Sequence, residues 1–403
     1  MIRAFVELVS SRPFVVLVFR GKKWGEPVQY NFSTWCSMEN FAEIISHSWQ
    51  EVEIAFAQET MSFVEVAIRG ASGQQQLVSP EACCNGRFLV QDLTPDCDYH
   101  VEVQLAKGSR QLSFRSLPLP HGSCSCRYAV IADPHLSASN ANRKGRLFQE
   151  SASILRDVVE HVNAFEVDFC LIAGDLTNSA AEEEFLLARE ILKNLQSPVL
   201  CSPGDHDLKG DGSPLWDHYL ADLLCTELLH PPYKIISLDT SSKQLTSKDI
   251  ARLQELLPLP LRPLLLTHVH LLPNAELCHG QKREGVGNYH QYQSLFLDLG
   301  KKDLLIYAGH QNIPNCLQTN GICQINTPQI SQYLCCWYLV EEYDNGLYHR
   351  SIPIKSEILR QQSRHESQLA AEFYQEKQWE TSYRQGKNAA SRSFIVNKTK
   401  FTA

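Results

Sequence analysis

The stretches Arg127–Ser137, RYAVIADPHLS, and Val167–Asn178, VDFCLIAGDLTN, decide the fold. In each, an apolar run short enough to be a buried strand stops abruptly at residues an apolar core cannot use: Asp133 and His135 in the first, Gly174 and Asp175 in the second. Between them Leu147, Phe148, Ile154, Leu155, Val158, Val159 and Val162 recur close to a period of 3.6, predicting an amphipathic helix. Strand, helix, strand is the signature of a layered α/β domain.

The pattern continues. Ser179 and Glu182 have capping-box spacing and predict the start of a helix containing Phe185, Leu186, Ile191 and Leu195. Further strands are expected at SPVLCS, KIISLDT, RPLLLTH, KDLLIYAGH and ICQIN, with a helix near Ser247–Leu257. Three of these strands also end in polar residues: Gly204, Asp205, His206 and Asp207; His268 and His270; His310 and Asn312. Ligands in layered α/β proteins gather beyond strand ends, so the five groups are expected to converge on one crevice. Carboxylates brought together repel and are costly to desolvate unless paired or bound to a cation. A pair of divalent ions resolves this, and oxygen and imidazole donors without thiolate favour manganese, iron or zinc. Singly, each motif is weak, since a lone strand-end histidine is more often structural. Five in order carry the reading.

These motifs resemble those of the calcineurin-like metallophosphoesterase superfamily over about Tyr128–Ile354: DxH in ADPHLS, GD in AGDLTN, GNHD as GDHD, a strand-end His in LTHVH, and GHxH as GHQN. ADPHLS and the later INTP look most like the branch containing class III cyclic-nucleotide phosphodiesterases. A preceding β-sandwich is also similar to purple acid phosphatases, but their tyrosine after the GD motif is missing from GDLTN. The resemblance implies that Asp133 and His135 hold a first metal, that Asp175 bridges, and that Asp205, His268 and His310 hold a second. It also implies that His206 acts on the leaving group, oriented by Asp207. His270 reads as pocket wall, and His279 and His290 as surface residues.

Two positions depart from the family. Asp205 stands for the asparagine of GNHD and adds charge beside the second metal. Asn312 stands for the last histidine of GHxH, where an amide oxygen is a weaker ligand than imidazole. The resemblance implies two divalent or trivalent ions (manganese, iron or zinc) and hydrolysis of a small phosphomonoester or phosphodiester. The departures leave open a catalytically impaired phosphate-binding protein, or a structural module with a vestigial crevice. Specificity is expected from the connection Leu271–Gly300, where Lys282, Arg283, Tyr289 and Tyr292 are available to a phosphate or base.

Ahead of this domain, residues 1–119 alternate with a period of two, as in FVEVAIR and YHVEVQL, predicting a β-sandwich. The segment LTPDCDYHVEVQLAKGSRQLSFRSLPLP resembles the closing strands of a fibronectin type III-like module. The domain boundaries are therefore expected at 1–119, 120–354 and 355–403, the last a peripheral helix with Ile358, Leu359, Leu369 and Phe373 as its apolar face, then a tail. The net charge of −8 argues against a basic nucleic-acid-binding surface, so no duplex partner is expected. Arg3, Glu7 and Arg12 interrupt the apolar start, no cleavage site follows, and no run approaches the roughly 18 apolar residues of a membrane span. A cytoplasmic protein without membrane attachment is expected, its fourteen cysteines reduced and mostly core residues. No CxxC occurs, so a zinc site of the usual spacing is not expected. The oligomeric state is unreadable.

Overall fold

The computed structural model describes residues 41–56, 65–70, 75–78, 83–84, 86–105, 108–138, 140–274, 285–311, 313–373 and 392–397. The expected strands at the very start of the chain lie outside them.

Among the described residues the first unit is a sandwich of two antiparallel four-stranded sheets. Its strands are β1 (Ala42–His47), β2 (Val52–Phe56), β3 (Glu65–Gly70), β4 (Gln75–Val78), β5 (Cys83–Cys84), β6 (Arg87–Val90), β7 (Asp98–Leu105) and β8 (Gly108–Arg115). One sheet has the order β1-β2-β6-β5 and the other β4-β3-β7-β8. Strand β7 alternates exposed and buried residues along its length, sending Tyr99, Val101, Val103 and Leu105 inward against Ile54, Phe88 and Val90. The Tyr99 hydroxyl accepts the Thr94 amide at 2.7 Å and so ties the entry to β7.

The second unit carries β9 (Cys126–Ile131), α1 (Ser151–Ala164), β10 (Phe169–Ile172), α2 (Glu182–Leu192), β11 (Val199–Cys201), α3 (Gly212–Leu220), β12 (Glu227–His230) and β13 (Tyr233–Ser237). It continues with α4 (Ser247–Glu255), β14 (Arg262–Thr267), α5 (Gln293–Gly300), β15 (Leu304–Ala308), β16 (Asn315–Thr319), β17 (Ile322–Asn326), β18 (Cys336–Tyr343), β19 (Gly346–Pro353), α6 (Glu357–Phe373) and β20 (Ser393–Asn397). Two six-stranded sheets result, β11-β10-β9-β18-β19-β20 and β12-β13-β14-β15-β17-β16. Because β9, β10 and β11 run parallel, as do β13, β14 and β15, their C-terminal ends meet along one edge.

Sheet faces sandwich one another through Tyr128, Val130, Phe169, Leu171, Tyr233, Leu264, Leu266, Leu305, Tyr307 and Tyr338. Three polar tips inside this layer form a chain: Tyr128 Oη lies 2.7 Å from Tyr307 Oη, which lies 2.7 Å from His349 Nε2. His349 Nδ1 is 3.2 Å from the Leu347 carbonyl, so no member of the chain is left without a partner. Helices α1 and α2 cover the outer face of the first sheet, and α4 and α5 that of the second. The stripe expected for α1 is buried through Ile154, Leu155, Val158, Val159 and Val162, whereas Leu147 and Phe148 lie ahead of the helix. At α2 the expected capping pair shifts: Glu184, not Glu182, turns back to accept the Ser179 amide at 2.8 Å and hydroxyl at 2.9 Å.

Two expectations for the C-terminal part are corrected. Ser393–Asn397 is not tail but the edge strand β20, paired antiparallel with β19. Helix α6 is not peripheral, and its inward face is polar: Arg360, Ser363 and Ser367 are fully buried, while Ile358 and Leu369 are about half exposed. The reason is what the helix meets. Ser363 donates to the Gly145 carbonyl and accepts the Tyr333 amide at 2.7 Å, and Gln361 donates to the Phe56 carbonyl at 3.2 Å. An apolar stripe would strand those backbone groups.

The two units share more than a surface. Ile45 and Ala55 of the sandwich form one buried cluster with Tyr333, Leu334 and Cys336. Around it Glu43 faces Arg360 and Arg392, and Arg87 pairs with Glu357. Among the described residues no helix is long and apolar enough to cross a membrane.

Candidate metal centre

At the shared C-terminal edge of the two sheets, β9 delivers Asp133 and His135, β10 delivers Asp175, and β11 delivers Asp205, His206 and Asp207. From the second sheet β14 delivers His268 and β15 delivers His310. The chain turns sharply at four of these positions: Asp133, His135, Asp175 and His310 all have φ between 47° and 63°, a region that non-glycine residues enter at a cost. Gly174, with φ +80°, has no substitute, since a Cβ there would come within 2.5 Å of His268 Nδ1. Gly309 is likewise required, because its Cβ would meet Asp133 Oδ2 at 2.5 Å.

Seven predicted site residues are brought together. Asp175, Asp205, His268 and His310 present ligand atoms that all lie within 4.8 Å of one another, and so do His135, Asp175 and His206. Asp175 is common to both groups: Oδ1 is 3.3 Å from His268 Nε2, and Oδ2 is 3.5 Å from His135 Nε2. Asp205 Oδ1 sits 3.2 Å from His268 Nε2 and 3.3 Å from His310 Nδ1. Asp133 Oδ1 lies 3.9 Å from His135 Nε2, and its carboxylate accepts the His310 amide at 3.1 Å. Asn312 lies outside the described residues.

The donor set fits divalent cations. His135 is fully buried, yet neither ring nitrogen has a hydrogen-bond partner among the described residues, an arrangement that costs free energy without an ion or water to bind. His268 Nδ1 is 2.9 Å from the Ala173 carbonyl, which assigns the ring proton there and frees Nε2 for coordination. In the bare protein burial pushes the Asp133 carboxyl up to about 8, with His268 opposing and Asp175 adding to the rise. Burial also opposes charge on Asp175, but His268 and His135 overcome it and hold that carboxyl well below its ordinary range. For Asp205, hydrogen bonds from His268 and His310 likewise outweigh burial. Burial lowers His135 and His310, whereas His268, beside Asp175 and Asp205, is raised despite burial. Such opposed shifts are those of a negatively charged, desolvated cavity that attracts positive charge.

Asp207 does not orient His206, contrary to expectation. Its carboxylate accepts the Leu176, Thr177 and Gly204 amides, at 3.2, 2.7 and 2.8 Å, and the Thr177 hydroxyl at 2.8 Å. It therefore locks the Asp175 turn to the Asp205 turn; burial and the neighbouring Asp175 push it up to about 7. His206 is held instead by the Asn178 carbonyl, 2.5 Å from Nδ1, while its backbone amide donates to Asp175 Oδ1 at 2.9 Å. A backbone carbonyl leaves no mark in sequence, so this partner was invisible there. Arg146 was also missed; half-buried in the turn before α1, it places positive charge near Asp133 and His135.

The other named residues divide. His270 is fully buried and packs beneath Gly285, outside both clusters. His290 is exposed. Tyr289 is buried against Phe296 at 5.3 Å and belongs to the core, so it is not placed to read a substrate. His279, Lys282 and Arg283 lie outside the described residues.

Residues 126–323 match the calcineurin-like phosphoesterase family model. This half of the chain is a calcineurin-like metallophosphoesterase domain. It is 26% identical over 208 residues to a 3',5'-cyclic adenosine monophosphate phosphodiesterase, CpdA, of Haemophilus influenzae, covering 49% of this chain and 74% of that protein. It is 32% identical over 83 residues to a glycerophosphodiester phosphodiesterase, GpdQ, of Enterobacter lignolyticus, covering 20% of this chain and only 29% of that one. Among solved structures, a dimetal phosphatase from Danio rerio is similar with a TM-score of 0.48 and 13% identity, covering 57% of this chain and 98% of that one. The purple acid phosphatase PPD1 of yellow lupin gives a TM-score of 0.41 and 12% identity, covering 78% and 72%.

Proposed function

We propose that this protein hydrolyses a small phosphate ester at a dinuclear metal site, with a phosphodiester the first candidate. The observation that carries the proposal is Asp175, one carboxylate shared by two clusters of ligand atoms. Asp133, His135 and Asn312 are assigned to the first ion, Asp205, His268 and His310 to the second, and Asp175 to both. Manganese, iron and zinc all suit these oxygen and nitrogen donors. Two such ions supply Lewis-acid polarisation of the phosphoryl group and an acidified water nucleophile. The diester preference is supported by both curated relatives being phosphodiesterases.

The chain's own residues do the remaining work. Asn178 fixes the His206 proton on Nδ1, so Nε2 is available to carry a second proton and hand it to the departing oxygen. Asp207 keeps the two loops in register through their amides. Arg146 adds positive charge beside Asp133 and His135. The chain divides at 1–119, a fibronectin type III-like module that braces the catalytic part 120–354, and 355–403, whose helix and edge strand join that catalytic part; the whole resides in the cytoplasm.

A second reading, a phosphate-binding protein with impaired turnover, rests on Asn312 in place of a histidine ligand. Metal analysis together with hydrolysis of bis-p-nitrophenyl phosphate and p-nitrophenyl phosphate in added manganese separates the two. Turnover of either ester with about two metals per chain is expected under the dinuclear proposal; metal and phosphate binding without turnover would establish the second reading.

A further inference from the structure

At the opposite end of the sandwich from the catalytic crevice, three side chains of different chemistry meet. Cys126 opens β9, Asp168 immediately precedes β10, and His230 closes β12 in the other sheet. The Cys126 sulfur, a carboxylate oxygen of Asp168 and a ring nitrogen of His230 all lie within 4.8 Å of one another. We propose that this Cys126–Asp168–His230 cluster is a separate mononuclear site for a borderline-soft divalent cation, zinc above all, which staples the two sheets together.

Thiolate, imidazole and carboxylate are the donors of tetrahedral zinc, with solvent at the fourth position. That position is open here, because Asp168 is exposed and His230 half-buried while Cys126 is 2% exposed. Each ligand is held by something other than the ion. Asp168 Oδ2 accepts the Arg127 amide at 2.8 Å. The His230 ring lies against Phe169 with centroids 5.4 Å apart, and no hydrogen bond to a described residue occupies its nitrogens. Cys126 is rooted in the strand pairing of β9 with β18. Burial, Asp168 and Glu342 all disfavour a bare thiolate here; the same negative surroundings favour a cation, whose binding releases the thiol proton to solvent. The chelate crosses between sheets at the edge strand β12, which among the described residues pairs only with β13.

The catalytic cluster contains no sulfur, so cobalt substitution distinguishes the sites. Cobalt-loaded full-length protein is expected to show a thiolate-to-cobalt charge-transfer band in the near ultraviolet. Asp175→Asn should retain it, and Cys126→Ser should lose it. His230→Asn, at a half-exposed position that keeps Cys126 in place if the serine variant fails to fold, should weaken zinc binding by about a hundredfold or more, the upper end of what outer-shell partners alone contribute. In the Asp175→Asn background, where the catalytic centre is crippled, zinc should still raise the melting temperature, and adding His230→Asn should remove that rise. Absence of the band from the wild-type protein, its persistence in Cys126→Ser, or an unchanged zinc affinity in His230→Asn overturns the proposal.

Discussion

Replacing Glu43 by Gln tests whether the N-terminal sandwich is locked to the metallophosphoesterase domain by charge. Glu43 sits on β1, 7% exposed, with Oε1 2.6 Å from Arg360 Nη1 on α6 and Oε2 3.4 Å from Arg392 Nη2. The Arg360 contact is close but too poorly aligned to be a hydrogen bond, so its strength is Coulombic. Burial works against the carboxylate, yet Arg360, Arg392, Arg364 and the Tyr333 hydroxyl lower it from 4.5 to about 2. That gap corresponds to about 3 kcal/mol of folding free energy. Breaking a buried pair from one side costs about 3–5 kcal/mol. The lower end applies because Glu357, 2.8 Å from Arg360 Nε, still neutralises that guanidinium. The expected loss for Glu43→Gln is therefore about 3 kcal/mol at neutral pH, read as a lower urea midpoint at unchanged slope. The sign with pH follows from a depressed carboxyl: the stabilisation is complete above about 4.5 and disappears as pH falls through about 2. Wild type and variant should converge over that window. A difference below about 0.5 kcal/mol at pH 7, the scale of an ordinary surface substitution, would refute the argument.

Asp175→Asn is expected to abolish turnover and reduce bound metal at both catalytic positions, because the carboxylate lies in both clusters; metal analysis beside the esterase assay checks it, and unchanged activity would remove the dinuclear site. His206→Ala should lower kcat by about a hundredfold or more while metal content stays nearly constant; loss of metal instead would make the imidazole a ligand. For Asn312→His, titration of activity with manganese should show apparent affinity rising by about one to two powers of ten. Coincident curves would mean that the asparagine does not stand in for a ligand.

What the sequence by itself determined was the layered domain and the strand-end residues that meet at its edge. An apolar strand that ends in Asp, Gly-Asp or His is a local signal, and Asp133, His135, Asp175, Asp205, His206, His268 and His310 were each named from such an ending. Their convergence needed only the parallel strand order, which puts those endings on one edge. Tertiary structure alone decided how they are held. That Asn178 holds His206 while Asp207 binds amides turns on backbone groups, which every residue possesses and no sequence pattern distinguishes. Helix α6 misled because hydrophobic periodicity assumes an apolar neighbour, and here the neighbour is Glu43, Tyr333 and the Gly145 carbonyl. Strand β20 was hidden because a short edge strand borrows its stability from β19, far back in the chain. Cys126, Asp168 and His230 carried no spacing signal, since ligands drawn from three strands in two sheets acquire their geometry only when the sheets pack.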